Sequence, residues 1–165
     1  MIAIDTNLLV FAHIPQSPFH RRAASLLAGL VASGSPWAIP AHCLAEFFSV
    51  VTHPKIYKPA STYSQACTQI DAWLGAPTLT VLGEDAETWP LLEQLVHDAQ
   101  LVGARIVAVC IQHDVAELWT HDRGFARFPQ LHTRDPLLDP LPTKASEGRV
   151  RYRVERRGRP SLAPR

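Results

Sequence analysis

Short apolar runs alternate along the chain with longer segments whose apolar residues recur at helical spacing. Apolar runs of three to five residues are too short for helices and are typical of buried strands. Four such runs are predicted to be strands: Ile2–Ile4, Trp37–Pro40, Leu79–Leu82 and Ala116–Thr120.

The segments between these runs carry their apolar side chains on one face, which predicts helices. Strands that alternate with helices form a mostly parallel sheet covered on both faces, so the predicted fold class is α/β. Phe47, Trp73 and Trp89 face apolar neighbours at helical spacing and are predicted to lie in the core. The predicted helices are His20–Ala32, Ala41–Val51, Ser61–Leu74, Thr88–Ala99 and Ile106–His113, and a short helical turn is predicted at Phe125–Phe128.

The cysteine content and the start of the chain indicate a cellular compartment. Cys43, Cys67 and Cys110 have no paired short spacing, so they predict neither a zinc site nor a disulfide framework. Each has apolar neighbours and is expected to be buried. The chain does not start with a basic segment before an apolar one, and no apolar run approaches the roughly 18 residues of a membrane span. These features predict a soluble cytoplasmic protein with no membrane contact.

The net charge of +1 conceals two parts of opposite sign. Residues 1–141 carry eight basic and 13 acidic side chains, whereas residues 142–165 carry eight basic and two acidic ones. We therefore expect one domain at 1–141, and a basic, disordered tail at 142–165 that lacks apolar periodicity. The tail has one aromatic residue, Tyr152, and two interpretations stay open: contact with RNA phosphates and bases, or a frayed extension.

Acidic residues stand where the predicted strands end. Asp5 follows the first strand, Asp122 follows the last, and Glu46 lies on the helix after the second strand. In an open α/β sheet, functional groups collect at the carboxyl ends of the strands, so these carboxylates can converge at one edge. Such a cluster repels itself unless a cation neutralises it, and its hard oxygen atoms suit Mg²⁺ or Mn²⁺. An ion of this kind activates water and stabilises charge on a phosphate.

Each of these acids also has a purely structural interpretation. Asp5 could begin a turn, Glu46 could be a solvated helix residue, and Asp122 could pair with Arg123 in a loop. It is their joint occurrence at matching positions that favours a site.

Three segments in order resemble the PIN domain nucleases, in particular their VapC toxin branch. The first is the opening Met1–Val10, which includes Asp5-Thr6-Asn7; the second is Trp37–Tyr57, which includes Glu46-Phe47; the third is Trp119–Pro129, which includes Thr120-His121-Asp122. The resemblance implies a three-layer α/β/α fold and a Mg²⁺-dependent endoribonuclease of a toxin–antitoxin pair. It assigns Asp5, Glu46 and Asp122 to the metal, with Thr6, Asn7 and Thr120 in support. A homodimer and inhibition by a VapB-like antitoxin are also implied.

The chain departs from the family's pattern at one acidic position. The family carries a further Asp at the start of the helix before the last strand, and here that position falls on Gly103 if about five residues have been lost. In a second alignment, Asp98 is the family's acid and about five residues have been added. The first alignment is preferred because it keeps the preceding helix at its expected length. The second alignment makes Asp98 a further catalytic and metal-binding member of the site, and both alignments stay open.

Three functions remain open from the sequence alone. The leading hypothesis is a metal-dependent ribonuclease. The second is a catalytically impaired PIN domain that binds RNA or an antitoxin without efficient cleavage, and the third is a nuclease that acts on DNA.

Four scattered basic residues near the first two segments could steer a nucleic-acid backbone toward the acids. They are Arg21, Arg22, Lys55 and Lys58.

Overall fold

A computed structural model describes residues 1–96 and 101–138. Five strands form one sheet in which every neighbouring pair is parallel, in the order β3-β2-β1-β4-β5. The α/β prediction is therefore confirmed. The strands are β1 at Ile2–Ile4, β2 at Trp37–Pro40, β3 at Leu79–Leu82, β4 at Glu117–Trp119 and β5 at Thr133–Arg134.

Helices cover the centre of the sheet on both faces. Successive side chains of a strand point to opposite faces, and all four residues of β2 are buried. Because crossovers between parallel strands are right-handed in almost all proteins, we expect the helices that join β1, β2 and β3 on one face and those that lead back to β4 on the other. The helices are α1 at Thr6–His13, α2 at His20–Ala32, α3 at Ala41–Val51, α4 at Tyr63–Leu74, α5 at Thr88–Leu95 and α6 at Leu101–Gln112, and a 3₁₀ helix spans Arg123–Arg127.

The order of the strands reverses at the centre of the sheet. From β1 the chain moves outward through β2 to β3 and then returns to β4 on the other side of β1. In an open α/β sheet, ligands bind outside the carboxyl ends of the strands at such a reversal. Asp5 directly follows β1, and Asp122 follows β4 closely.

Most of the predicted elements are present, but several boundaries differ. Helix α4 begins at Tyr63, not Ser61, because Thr62 and Gln65 form a reciprocal capping box at its start. Helix α6 begins at Leu101, five residues before the predicted start. The predicted end of the helix after β3, at 97–99, lies outside the described residues, as do the domain boundary at 141 and the tail.

Helix α1 and strand β5 were not predicted from the sequence. The apolar run Leu8–Phe11 carries no alternation that separates a helix from a strand, and β5 has only two residues. No helix in the described part of the chain is long and apolar enough to span a membrane.

Two predictions of burial are wrong. Trp89 is 64% exposed, because the buried stripe of α5 runs through Thr88 and Leu92, which turns Trp89 to the solvent. Cys67 is exposed on α4, whereas Cys43 and Cys110 are buried as expected. Phe47 and Trp73 are in the core.

The two tryptophans give a matched test of the packing. Trp73 is 6% exposed and packs edge to face against Phe47, with ring centroids 4.8 Å apart. Trp73→Ala is expected to lower the free energy of unfolding by about 3–5 kcal/mol, because it leaves a cavity in the core. Trp89→Ala should change it by roughly 0.5 kcal/mol or less. Urea denaturation of both variants measures the difference, and equal losses would contradict this description of the core.

Candidate active site

The carboxylate of Asp5 is buried between the ends of the two central strands. Its side chain is 4% exposed, and its Oδ2 accepts hydrogen bonds of 2.6 Å from the Thr120 hydroxyl and 2.6 Å from the Asn7 amide. The Asp5 backbone N–H also donates to the carbonyl oxygen of Trp119 at 3.0 Å. Asp5 therefore joins β1 to β4 through both its backbone and its side chain.

Thr120 and Asn7 hold the two strand ends in register. The Asn7 Nδ2 donates to the Thr120 hydroxyl at 3.0 Å, and the Asn7 Oδ1 accepts the backbone N–H of His121 at 3.2 Å. The backbone N–H of Asp122 donates to the same Thr120 hydroxyl at 3.0 Å. One hydroxyl thus contacts Asp5, Asn7 and Asp122.

Glu46 reaches this edge from α3, where it is partly buried. The Thr6 hydroxyl donates a hydrogen bond of 2.7 Å to the Glu46 Oε2. Since Thr6 begins α1 directly after Asp5, this bond fixes the second carboxylate relative to the first.

Asp122 is the exposed member of the set and begins the 3₁₀ helix. Its Oδ1 accepts the backbone N–H of Gly124 at 2.7 Å, which caps that helix. Among the described residues it forms no ion pair, so the alternative of a loop pair with Arg123 has no support in the structure.

One cavity of about 640 Å³ receives all three carboxylates. The carboxylates of Asp5, Glu46 and Asp122 line it together with Thr6 and Asn7. The rest of its wall is largely apolar and includes Phe11, Ile106, Phe125 and Phe128. The structure therefore brings the predicted acids to one cavity at the reversal of the strand order.

Burial and negative charge act together on Asp5. Its pKa is raised from 3.8 to about 6, mainly by burial and further by the charges of Glu46 and Asp122, while hydrogen bonds from Thr120 and Thr6 oppose the rise. Without a cation, the ionised form of Asp5 is thus disfavoured at this site.

Two buried thiols near the site contribute no charge to it. Burial raises the pKa of Cys110 to about 12 and raises the pKa of Cys43 well above its usual range. Both cysteines are neutral at physiological pH and pack as small apolar residues.

The carboxylates offer a donor set that fits a hard divalent cation, though not a closed cage. No three His, Cys, Asp or Glu side chains within 1–96 and 101–138 come close enough to hold a metal ion together. Mg²⁺ usually keeps several waters and takes only one or two carboxylates, so the shared cavity is compatible with it.

Gly103 forms part of the cavity wall. This is the residue that the preferred alignment assigns to the missing family acid. A Cβ atom at this position would lie 3.5 Å from the Phe128 ring, which is ordinary van der Waals contact, so the position has room for a side chain. Asp98, the other candidate, lies outside the described residues.

One basic residue of the cavity was missed from the sequence. Arg127 lines it from the end of the 3₁₀ helix, and its Nε–H donates to the carbonyl oxygen of Gly124 at 3.1 Å. The signal available in the sequence was a basic residue five positions after Asp122, the acid that follows β4. None of the four bases singled out earlier lines the cavity; Arg22, for example, donates to the carbonyl oxygen of Pro136 at 2.9 Å.

A polar group at the surface links two helices that carry residues of the cavity. The Arg105 Nε of α6 donates to the Glu84 carboxylate at 2.5 Å, and the His42 Nδ1 of α3 lies 3.3 Å from the same oxygen. His42 stands one helical turn before Glu46, so Glu84 links the helix that carries Glu46 to the helix that carries Gly103. Burial, with Arg105 nearby, lowers the pKa of His42, which favours its neutral form.

Comparison with known proteins gives both a family and close relatives. Residues 2–131 match the PIN domain family. The VapC ribonuclease Mb2897 of Mycobacterium bovis is 32% identical over 142 residues, which are 83% of this chain and 96% of the relative. Ribonuclease VapC48 of Mycobacterium tuberculosis is 28% identical over 138 residues, or 81% of this chain and 95% of the relative.

Solved structures share the fold at lower identity. The crystal structure of Mycobacterium tuberculosis VapC20, described as a toxin that cleaves the sarcin–ricin loop, has a TM-score of 0.60 at 16% identity and covers 76% of this chain and 93% of its own. A FitAB complex bound to a DNA fragment has a TM-score of 0.62 at 20% identity, covering 87% of this chain and all of its own. The VapBC2 complex of Rickettsia felis, bound to a promoter DNA fragment, has a TM-score of 0.57 at 20% identity, with 81% and 98% covered.

The raised pKa of Asp5 predicts a pH-dependent stability. Well below its unfolded pKa of 3.8, this carboxyl is protonated in the folded and the unfolded chain alike. As the pH rises from about 4 to about 6, the unfolded carboxyl ionises while the folded one stays protonated, so folding stability on the order of 3 kcal/mol is lost by pH 7. Asp5→Asn removes the buried charge and should raise the unfolding free energy in EDTA at pH 7.5 by roughly 1–3 kcal/mol. That gain should shrink toward pH 4.

Urea denaturation across this pH range measures the gain. Asp71→Asn, on the exposed face of α4, is the matched control and should leave stability nearly unchanged at each pH. A gain for Asp5→Asn that does not vary with pH would show that charge burial is not its cause.

Proposed function

This chain belongs to the PIN domain family, in its VapC ribonuclease branch, and we propose that it is a metal-dependent endoribonuclease toxin that hydrolyses RNA phosphodiester bonds. The main support is the cavity at the strand reversal, which is lined by Asp5, Glu46 and Asp122. Relatives that carry the name ribonuclease cover most of the chain.

We assign the metal-binding role to the three carboxylates and supporting roles to their partners. Asp5, Glu46 and Asp122 would hold Mg²⁺ or Mn²⁺, in part through water molecules, since oxygen ligands suit these ions. When bound, such an ion places positive charge beside the phosphate and helps to ionise water near neutral pH.

The neighbouring polar residues keep these carboxylates oriented. Thr120 and Asn7 hold the Asp5 carboxylate through Oδ2, and Thr6 holds Glu46. The apolar part of the wall limits the access of water, which strengthens electrostatic interactions inside the cavity.

The proposed setting is a toxin–antitoxin pair in the cytoplasm. Two of the structural neighbours are complexes named VapBC and FitAB, which supports a VapB-like antitoxin as the partner of this chain. A basic side chain of such a partner would complement the acidic cavity. Three unpaired cysteines agree with a reducing compartment. The homodimer implied by the family resemblance remains a prediction.

RNA cleavage tests the assignment directly. The purified chain should cut a mixed, structured RNA pool with Mg²⁺ or Mn²⁺ and not with EDTA. Asp5→Asn, Glu46→Gln and Asp122→Asn should each lower the rate at least about a hundredfold, because displacement of the reacting groups by ~1 Å already has that effect. Asp71→Asn is the control and should retain the rate.

Other outcomes separate the remaining hypotheses. Loss of cutting in Asp98→Asn would assign that residue to the site, and inhibition by competing DNA would favour the DNA nuclease. Metal-dependent cutting that survives Asp5→Asn would rule out the proposed site. A folded chain that binds RNA but never cuts it would be the catalytically impaired PIN domain, which the absence of a carboxylate at Gly103 favours.

Restoring a carboxylate at position 103 tests that alternative. Gly103→Asp should tighten Mn²⁺ binding at least about tenfold, because a unit charge within about 4 Å of an ion in a partly buried site contributes more than 1.4 kcal/mol. The residue is in the first turn of α6, where an acidic side chain also suits the helix dipole. Calorimetric titration measures the affinity, with Gly29→Asp on α2 as the control. Unchanged affinity in both variants would show that position 103 takes no part in ion binding.

A further inference from the structure

We propose that Arg127 contacts the RNA backbone in the active site, donating hydrogen bonds to a phosphate next to the carboxylates. This inference rests on the proposed function and adds to it a substrate-contacting residue outside the acidic set. It arises from the placement of one arginine in a cavity otherwise lined by acidic, polar and apolar side chains.

A single peptide unit aligns an acid and a base on the cavity. The backbone N–H of Gly124 donates to the Asp122 Oδ1 at 2.7 Å, while the carbonyl oxygen of Gly124 accepts from the Arg127 Nε at 3.1 Å. All three residues line the cavity. The turn that positions Asp122 therefore also holds the guanidinium, and within 1–96 and 101–138 it does so through Nε alone. A guanidinium bonded in this way still carries four N–H donors on its two terminal nitrogens.

The charge of Arg127 is not neutralised by the nearby acids. Among the described residues, none of the ion pairs within 4.0 Å includes Arg127, although three carboxylates share its cavity. Three carboxylates exceed the charge of one divalent cation, so a further positive group on the same wall favours the approach of an RNA phosphate. A guanidinium also matches a phosphate geometrically, since it can donate two parallel hydrogen bonds.

The same 3₁₀ helix provides a matched control. Arg123 and Arg127 are its first and last residues, and both are exposed, but Arg123 does not line the cavity. Removing either charge changes the net charge of the helix equally. Any difference between the two substitutions therefore reports position and not charge alone.

The test measures RNA binding separately from cleavage. Arg127→Gln, Arg127→Lys and Arg123→Gln are placed in the wild-type chain and in the Asp5→Asn background. Anisotropy of a fluorescent single-stranded RNA is followed at several salt concentrations with Mg²⁺ present. Arg127→Gln should weaken binding about tenfold to a hundredfold and lower the salt slope by about one, whereas Arg123→Gln should weaken it less than about threefold. Arg127→Lys should restore only part of the loss, because an ammonium cannot donate the bidentate pair.

Several outcomes would overturn the inference. Equal losses of RNA affinity in Arg127→Gln and Arg123→Gln would show that the effect comes from net charge and not from the position of Arg127. A lower melting temperature in Arg127→Gln with unchanged RNA affinity would restrict Arg127 to holding the turn. Full rescue by Arg127→Lys would rule out the bidentate contact.

The two proposals fail in distinguishable ways. If the chain cuts RNA but Arg127→Gln has normal affinity and kcat/KM, the inference alone is wrong. If the chain binds RNA through Arg127 yet never cuts, the proposed activity alone is wrong. If it neither binds nor cuts RNA, both are wrong. Should Arg127→Gln fail to fold, the RNA affinity of Arg127→Lys is compared with that of the wild-type chain. A weaker affinity supports the inference, and an equal affinity overturns it.

Discussion

The site depends on a carboxylate that the fold buries where its two central strands end. Burial alone disfavours the charged form of Asp5, and two further carboxylates on the same cavity add to the effect. Hydrogen bonds from Thr120 and Thr6 oppose this effect. Thr120 and Asn7 both donate to one oxygen of Asp5. The same bonds hold β1 against β4, so the arrangement that prepares the acid for a cation is also part of the sheet. Such buried networks are specific because an unpaired member is costly.

The parts of the fold that followed from the sequence are those governed by strand order and by simple periodicity. Apolar runs separated by helical segments imply a parallel sheet, and parallel strands present their carboxyl ends at one edge. That geometry predicts that Asp5 and Asp122 lie at the same edge, and both line the cavity there. Glu46 followed in the same way, because it lies on the helix that leaves the carboxyl end of β2.

The features that the sequence did not reveal depend on the direction in which a side chain points. Trp89 is apolar, but the buried stripe of α5 leaves it on the outside. Thr6 can donate to Glu46 because of how α1 is rotated relative to α3, and the sequence does not give this rotation. Arg127 reaches the cavity only because a tight 3₁₀ turn, held at Gly124, brings its end back toward Asp122. Spacing along the chain does not encode these rotations, since they are set by tertiary packing.

The hydrogen bond between Thr120 and Asp5 joins residues 115 positions apart. During synthesis on the ribosome, Asp5 is made before the hydroxyl that orients it, because Thr120 directly follows β4. The nascent polypeptide therefore lacks an assembled centre until β4 has emerged and docked. Fragments left by premature termination before β4 would have the first carboxylates without the strand that organises them. For a chain of a toxin family, this contact order delays any harmful activity until β4 has been translated and has docked.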